Sequence, residues 1–316
     1  MAQRRLGQTD LFLAPLVFGG NVFGWTADKA TSFRLLDGFV AGGLNAIDTA
    51  DVYSAWVPGN KGGESEAIIG EWLKASGKRN DVVIITKVGF PLAPGRQGLR
   101  APYIERAVED SLKRLGVETI DLYLAHKFDP ETPHEETLAA FDKLKKAGKI
   151  RWSGCSNYDA AQLGASLEVA KAKGLPRYEV LQPEYNLYDR GSFEGPLADL
   201  TTEAGLGVIV YFSLAKGFLS GKYRSEADFG KSPRGGRIGD YLNPRGYRIL
   251  AALDAVSARH GAKPAEVALA WLMQRPSVTA PIASATSLEQ LASLVAAVKL
   301  TLTSEDVAEL DAASAP

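Results

Sequence analysis

The chain has 316 residues, 46% of them apolar, and its formal net charge is −1. This length allows two ordinary domains or one large α/β barrel, which typically needs about 250 residues, and the apolar share suffices for a sizeable core. The balanced charge argues against nucleic acid or an anionic membrane as the main partner. The single cysteine, Cys155, excludes an intrachain disulfide framework and indicates a reducing compartment.

The N-terminus and the longest apolar stretch bear on the location of the protein. Residues 1–8 contain no apolar core of a signal peptide. The apolar stretch at residues 206–215 is far shorter than the about 20 residues that a membrane-spanning helix needs. We therefore expect a soluble, cytoplasmic protein.

Strand and helix patterns alternate along the chain. Residues 4–14 predict a small hairpin around a turn at 7–10, and residues 16–20 predict the first core strand. Seven further strands are predicted at 45–50, 82–87, 122–126, 150–156, 180–185, 207–213 and 279–284. Helices are predicted between them at 28–41, 64–75, 102–115, 134–147, 159–173 and 197–204.

This alternation predicts parallel strands joined by helical crossovers. Eight such units close naturally into a (β/α)8 TIM barrel, here an α/β fold with an N-terminal β-hairpin and one domain over residues 1–316. The alternative is an open doubly wound sheet. A dinucleotide-binding sheet of that kind usually carries a Gly-x-Gly-x-x-Gly turn after its first strand, and Gly19, Gly20 and Gly24 have the wrong spacing for it.

One long segment after strand seven, residues 221–246, does not follow this alternation of strands and helices. It is rich in Gly, Pro, Arg and Asp and shows little periodicity. Loops of this length within a compact domain are usually lids or disordered. Because it follows a strand of the barrel, we expect it to project from the active face as a lid; a surface excursion is the alternative.

Side chains able to hold or move a proton stand at the ends of neighbouring strands. Asp48, Lys87 and His126 each lie at a predicted strand end, and Tyr53 follows the second strand. Each alone is compatible with a purely structural role. Because catalytic groups of such barrels project from the carboxyl ends of the strands, their coincidence on adjacent units favours a common site.

These four residues suit proton transfer coupled to carbonyl reduction. The free phenol has a pKa near 10, and the ammonium of Lys87 is expected to lower the pKa of Tyr53. Asp48 can hold Lys87 in its charged form, and His126 can orient the substrate oxygen. The three histidines of the chain lack metal-ligand spacing, so we predict no metal site and expect a cofactor to supply the reducing equivalent.

Six motifs carry a specific resemblance. They are NAIDTADVY at 45–53, ITK at 85–87, DLYLAH at 121–126, SGCSNY at 153–158, QPEYN at 182–186 and YFSLAKGFLSGKY at 211–223. In these motifs the chain resembles the aldo-keto reductase superfamily over nearly its whole length. The resemblance implies a (β/α)8 barrel, an extended NAD(P)H cofactor, Tyr53 as the general acid, Lys87 and Asp48 as the pair that lowers its pKa, and His126 as the residue that orients the carbonyl.

The resemblance also implies the residues that hold the cofactor. Ser156, Asn157 and Gln182 would bind the nicotinamide carboxamide, and Tyr211 would stack on the nicotinamide ring. The pyrophosphate would lie on the loop at 213–221, which includes Ser213, Leu214, Gly217, Leu219 and Gly221. Small residues there let backbone N–H groups approach an anion closely.

The segment after strand eight departs from the family pattern. No Lys or Arg occurs between Ile282 and Leu294, although a 2′-phosphate prefers a guanidinium fork. Ser284 and Thr286 offer hydroxyls, and Gln290 stands where the family often has arginine. We favour NADP(H) on family grounds, and NAD(H) is the alternative.

The sequence therefore predicts an enzyme that reduces an aldehyde or ketone, or oxidises the alcohol in reverse. Aromatic residues that follow strand ends predict an apolar substrate pocket, with rim packing as the alternative: Phe23, Trp25, Trp56, Phe90 and Phe128. The second candidate function is a regulatory nucleotide-binding protein resembling channel-associated β subunits. The third is a barrel hydrolase or isomerase without a nucleotide. The oligomeric state and the natural substrate stay open.

Overall fold

The computed structural model describes residues 2–315. Eight parallel strands close into a barrel in which each strand pairs with the next one along the chain and the last pairs with the first. The strands are β3 Val17–Gly19, β4 Ala46–Asp48, β5 Val83–Val88, β6 Ile120–Ala125, β7 Ile150–Ser156, β8 Val180–Gln182, β9 Gly207–Val210 and β10 Ala280–Ala283, preceded by the antiparallel hairpin β1 Arg4–Arg5 and β2 Phe12–Leu13. The predicted (β/α)8 barrel with an N-terminal hairpin is confirmed.

Helices surround the barrel and connect its strands. They are α1 Lys29–Ala41, α2 Glu64–Ser76, α3 Ala101–Leu115, α4 His134–Lys146, α5 Ala160–Lys173, α6 Pro196–Glu203, α7 Pro244–His260, α8 Pro264–Met273, α9 Leu288–Lys299 and α10 Ser304–Ser314. The sequence pattern predicted no bounds for the last four. Side chains cap three of them: Asn243 accepts from Gly246 N at α7, Ser287 from Gln290 N at α9, and Thr303 from Asp306 N at α10. Within residues 2–315, none of these helices combines the length and apolar character needed to cross a membrane.

The hairpin closes the amino-terminal end of the barrel. Its residues Leu6, Leu11 and Leu13 belong to one buried cluster with barrel residues such as Ile85 and Leu122. In the strands, every second side chain points into the barrel, and the others pack against the helices. Because the hairpin fills the amino-terminal end, the opposite end, where the strands terminate, is the one available for a functional site.

The barrel strands end within two residues of the prediction except β8 and β9, which each stop three residues early. β8 stops at Gln182 rather than residue 185, because Pro183 has no N–H for the ladder. β9 stops at Val210 rather than residue 213, and Tyr211 makes only an isolated bridge with Glu184. β5 runs one residue beyond Lys87.

The segment expected to be a long irregular loop is shorter and more structured than predicted. Three short 3-10 helices occupy it, at Glu226–Lys231, Gly235–Arg237 and Gly239–Tyr241, and α7 begins at Pro244. Ile238 and Tyr241 are buried, so the segment packs on the barrel. Hydrophobic periodicity could not reveal it, because 3-10 helices of three to six residues are too short to show a repeat.

Candidate active site

A buried lysine joins a carboxylate and a phenol at the carboxyl end of the barrel. Lys87 Nζ lies 2.8 Å from Asp48 Oδ2, 2.9 Å from the Tyr53 hydroxyl and 2.7 Å from the carbonyl oxygen of Thr49. The Tyr53 hydroxyl in turn donates to Asp48 Oδ2 at 3.1 Å. Lys87 is fully buried and Asp48 is 1% exposed. A charged lysine so deeply buried is stable only with partners of this kind.

Strand register brings these side chains together. β4 and β5 are parallel neighbours, with Asp48 opposite Ile85. Lys87 is two residues beyond Ile85 and therefore points to the same side of the strand, into the barrel. Tyr53 returns to the strand ends through a tight turn, in which Ser54 adopts a left-handed conformation (φ 69°) and its hydroxyl donates to Phe23 O at 2.6 Å.

Burial dominates the protonation of the cluster. Burial, and next the Asp48 carboxylate, raise the pKa of Tyr53 well above its usual value of 10.0. Burial also lowers the pKa of Lys87, and the contact with Asp48 opposes that shift. The expected lowering of the Tyr53 pKa by Lys87 is thus outweighed. The phenol keeps its proton at neutral pH, which is the form that can donate a proton.

His126 lies beside this cluster in neutral form. It follows β6, its backbone N–H donates to Val88 O at 2.8 Å, and its ring packs 6.1 Å from Tyr53 and 5.0 Å from Phe90. Burial, and next the Lys87 charge, lower the pKa of His126 well below 6.5. Its buried Nδ1 has no hydrogen-bond partner in residues 2–315. A buried polar atom left without a partner is costly and points to a missing ligand.

The three residues predicted to hold a carboxamide lie together. The Ser156 hydroxyl donates to the Gln182 carbonyl oxygen at 2.8 Å, and Asn157 Nδ2 donates to the His126 carbonyl oxygen at 2.8 Å. Gln182 Nε2 donates to Asp48 Oδ1 at 2.8 Å, so this group is linked to the lysine cluster. The Tyr211 hydroxyl donates to Asn157 Oδ1 at 2.6 Å.

The segment after β9, predicted to hold a pyrophosphate, contains a run of left-handed conformations. Left-handed conformations recur along it, at Phe212 (φ 50°), Ala215 (φ 46°), Lys216 (φ 58°), Gly217 (φ 107°) and Gly221 (φ 75°). Three of these five residues carry side chains, which makes the conformation strained. Such turns gather backbone N–H groups into a concave anion site. The predicted residues Ser213, Leu214 and Leu219 lie in the same segment; Ser213 is buried, and its hydroxyl donates to Val210 O at 3.1 Å.

The remaining predicted contacts lie between β10 and α9. The Ser284 hydroxyl donates to Gly19 O at 2.7 Å. Gln290 Oε1 accepts from the backbone N–H and the hydroxyl of Thr286, at 2.8 and 3.2 Å. Lys263 pairs with Glu289, in the first turn of α9, at 3.2 Å, and both side chains are exposed. The hydroxyls of Ser284 and Thr286 are already bonded within the protein.

Sequence reasoning missed a buried acidic pair behind Lys87. Asp51 is 2% exposed and Glu66 is fully buried. Glu66 accepts from the Thr86 hydroxyl at 2.6 Å and from Arg114 Nε at 2.7 Å. Burial, and next Glu66, raise the pKa of Asp51 to about 7. The available signal was the position of Asp51 within the NAIDTADVY motif.

Metal chemistry has no visible ligand set at this site. In the described part of the chain, no three His, Cys, Asp or Glu side chains form a group that could hold a metal ion.

Comparison with known proteins agrees with the geometry. The family model described as "Aldo/keto reductase family" matches residues 15–315 of this chain. Protein tas of Escherichia coli (strain K12) is 31% identical, covering 99% of this chain and 97% of its own length. Aldo-keto reductase str7 of Strobilurus tenacellus is 32% identical, over 87% of this chain and 79% of its own. A putative voltage-gated potassium channel subunit beta of Schizosaccharomyces pombe is 32% identical, over 85% and 80%. The chain therefore belongs to the aldo/keto reductase family of oxidoreductases.

Proposed function

We propose that the protein is an NAD(P)H-dependent reductase of an aldehyde or ketone, able to run in reverse as an alcohol dehydrogenase, with Tyr53 as its general acid. The observation that carries this proposal is the contact of the Tyr53 hydroxyl with the buried Lys87 ammonium at 2.9 Å, beside a neutral His126. The substrate is a small carbonyl or alcohol, and the proposal includes no nucleic-acid or membrane partner and a cytoplasmic location.

The residues present fit a nicotinamide cofactor. Members of this family use nicotinamide cofactors, which supply a hydride to the carbonyl carbon. Two features of this structure support a bound ligand: the Nδ1 of His126 has no partner in residues 2–315, and the left-handed conformations along residues 212–221 suit backbone contacts with an anion. Ser156, Asn157 and Gln182 would hold the carboxamide and Tyr211 would face the ring. We favour NADP(H), with NAD(H) as the alternative.

Each catalytic side chain has a separate task. Tyr53 donates its proton to the carbonyl oxygen as negative charge develops there. Lys87 stabilises the phenolate that results, and Asp48 holds Lys87 in place through the 2.8 Å ion pair. His126 donates a hydrogen bond from its neutral ring and orients the carbonyl. General acid catalysis of this kind contributes about 10²- to 10⁴-fold.

The test is turnover of 4-nitrobenzaldehyde, followed by cofactor absorbance with NADPH and with NADH. We expect turnover by the wild type and a loss of about 10²- to 10⁴-fold in kcat for Tyr53→Phe. The Kd of the cofactor, measured by fluorescence, should stay within about twofold because the phenol ring is retained. If Tyr53→Phe kept full activity, Tyr53 would not be the general acid.

The second candidate is a regulatory nucleotide-binding protein. The name of the Schizosaccharomyces pombe relative, a putative channel subunit, motivates it. The assembled group of Asp48, Tyr53, Lys87 and His126 favours turnover instead, since binding alone does not need a proton donor. Tight cofactor binding without turnover of any aldehyde tested, together with a stable membrane-protein partner in a pull-down, would support this second candidate.

A further inference from the structure

Arg234 is a cation without a carboxylate partner beside the candidate active site. Its guanidinium carbon lies 5.2 Å from the centre of the Trp25 ring. No ion pair joins it to an acidic residue within residues 2–315, and the charged or ionisable groups acting on its pKa are Arg237, Tyr53 and Tyr223. Two other cations of the same segment are paired: Arg224 with Asp254 and Lys231 with Asp228, both at 2.7 Å.

An aromatic wall leads from Arg234 to the proposed general acid. Trp25 packs edge-on against Trp56, with ring centres 5.6 Å apart, and Trp56 packs against Tyr53 at 6.2 Å. Trp56 is 47% exposed, so this wall is open to solvent. Arg234 is close enough to Tyr53 for its charge to oppose the rise in the pKa of Tyr53. The guanidinium and the phenol therefore lie at the two ends of one aromatic cluster.

The position of Arg234 is fixed by its surroundings. A Cβ at the next residue, Gly235, would overlap the backbone carbonyl of Phe229, so only glycine fits this turn. The Tyr223 hydroxyl contacts Ser232 Oγ at 2.6 Å and anchors the segment. With its amide oxygen oriented toward the guanidinium, Asn21 accepts from Arg234 Nη2 at 2.5 Å. One side of the guanidinium is held by the protein, and its other donors are left for a ligand.

We propose that Arg234 selects carbonyl substrates that carry a carboxylate, which it binds while Tyr53 contacts the carbonyl oxygen. This inference rests on the proposed function and names the substrate class of the same site. A half-buried guanidinium without a counterion costs solvation energy that an anionic ligand restores. Arginine presents a planar fork that matches a carboxylate. The proposed function assigns the phosphates of the cofactor to a different segment, residues 211–221.

The experiment compares 3- and 4-carboxybenzaldehyde with their methyl esters. We expect the wild type to prefer at least one of the acids over its ester. Arg234→Gln should lower kcat/KM for that acid by about 10- to 100-fold and leave the ester within about twofold. Arg234→Lys keeps the charge without the fork, so its kcat/KM for that acid should lie between the values of the wild type and of Arg234→Gln. Lys231→Gln, which removes an exposed cation of the same segment that pairs with Asp228, is the matched control and should behave as the wild type.

Three results would overturn the proposal. The first is a wild type that shows no preference for either acid, and the second is an Arg234→Gln variant that keeps the preference. The third is an equal loss for acid and ester with a raised Kd for NADPH, which would assign Arg234 to a cofactor phosphate. Calorimetric binding of the acid and the ester needs no turnover. If no aldehyde is turned over but binding of the acid still depends on Arg234, the proposed function fails and the anion site stands.

Discussion

Lys87 and Tyr53 are joined through one carboxylate oxygen as well as directly. Both the Lys87 ammonium and the Tyr53 hydroxyl donate to Asp48 Oδ2, at 2.8 and 3.1 Å, and the two donors lie 2.9 Å apart. Loss of the phenol proton would leave two anions next to one ammonium. Asp48 therefore keeps the phenol of Tyr53 protonated at rest. Once the proton has left, the Lys87 ammonium is positioned to stabilise the phenolate. The contacts among Lys87, Tyr53 and Asp48 therefore affect both the stability of the site and the ability of Tyr53 to donate its proton.

Removal of Lys87 should destabilise the protein strongly. Lys87→Met leaves Asp48 buried with only neutral donors, and breaking a buried ion pair by removing one partner costs about 3–5 kcal/mol in the free energy of unfolding. Urea denaturation measures this difference. The matched control is Lys143→Met, which breaks an exposed pair with Glu105 and should cost less than about 1 kcal/mol. Similar losses in the free energy of unfolding for the two variants would show that the Lys87–Asp48 pair behaves as an exposed ion pair.

His126 should not titrate during catalysis near neutral pH. Burial and the Lys87 charge lower its pKa, so the imidazole becomes charged only well below pH 6.5 and stays neutral above it. We expect kcat/KM for aldehyde reduction to be flat between about pH 6 and pH 8. His126→Gln should lower kcat/KM without introducing a step in this range. A step near pH 6.5 in the wild type that disappears in the variant would mean that the ring is solvated and ionises normally.

The sequence was sufficient to predict the barrel and the meeting of Asp48, Tyr53, Lys87 and His126 at one end of it. Periodicity and strand spacing gave the order of the elements, and the parallel register then forces Asp48 and Lys87 to the same end of the barrel. The protonation of Tyr53 was not predictable in the same way. It depends on how deeply the ring is buried and on its contact with Asp48, which only the folded turn around Ser54 creates.

Contacts between distant segments were also outside the reach of sequence patterns. Arg234 approaches Trp25 because a 3-10 turn and Gly235 fix the chain there, and neither leaves a repeat in the sequence. Asp51 meets Glu66 only when α2 packs behind β5. Both features depend on packing between elements, which local propensity does not encode.

A basic residue at position 290 should increase the preference for NADPH. Gln290 lies in the first turn of α9, where its side-chain oxygen accepts from Thr286. Gln290→Arg supplies the guanidinium that the segment lacks, so we expect the Kd of NADPH to fall about tenfold and that of NADH to change less than about twofold. Gln290→Lys should give a smaller gain, because it offers a point charge without the fork. An equal change in Kd for NADPH and NADH would show that the 2′-phosphate binds away from residue 290.

Ionisation of Asp51 should reduce stability as the pH rises. Its folded pKa of about 7 lies above the usual value of 3.8, so the folded state holds the proton more tightly. The resulting stabilisation is complete below about pH 4 and is lost as the pH rises through 7. Asp51→Asn cannot ionise, so between pH 5 and pH 8 the wild type should lose about 2–3 kcal/mol relative to this variant.

Urea denaturation of both proteins at pH 5 and pH 8 measures this difference. Glu203→Gln at the exposed end of α6 is the control, and its unfolding free energy should follow that of the wild type at both values of pH. The argument depends on Asp51 being buried next to Glu66, with Arg114 and Arg96 too weak to hold it ionised. If Asp51→Asn is instead less stable than the wild type by the same amount at both values of pH, then Asp51 is already ionised at pH 5 in the folded protein and is held by those arginines.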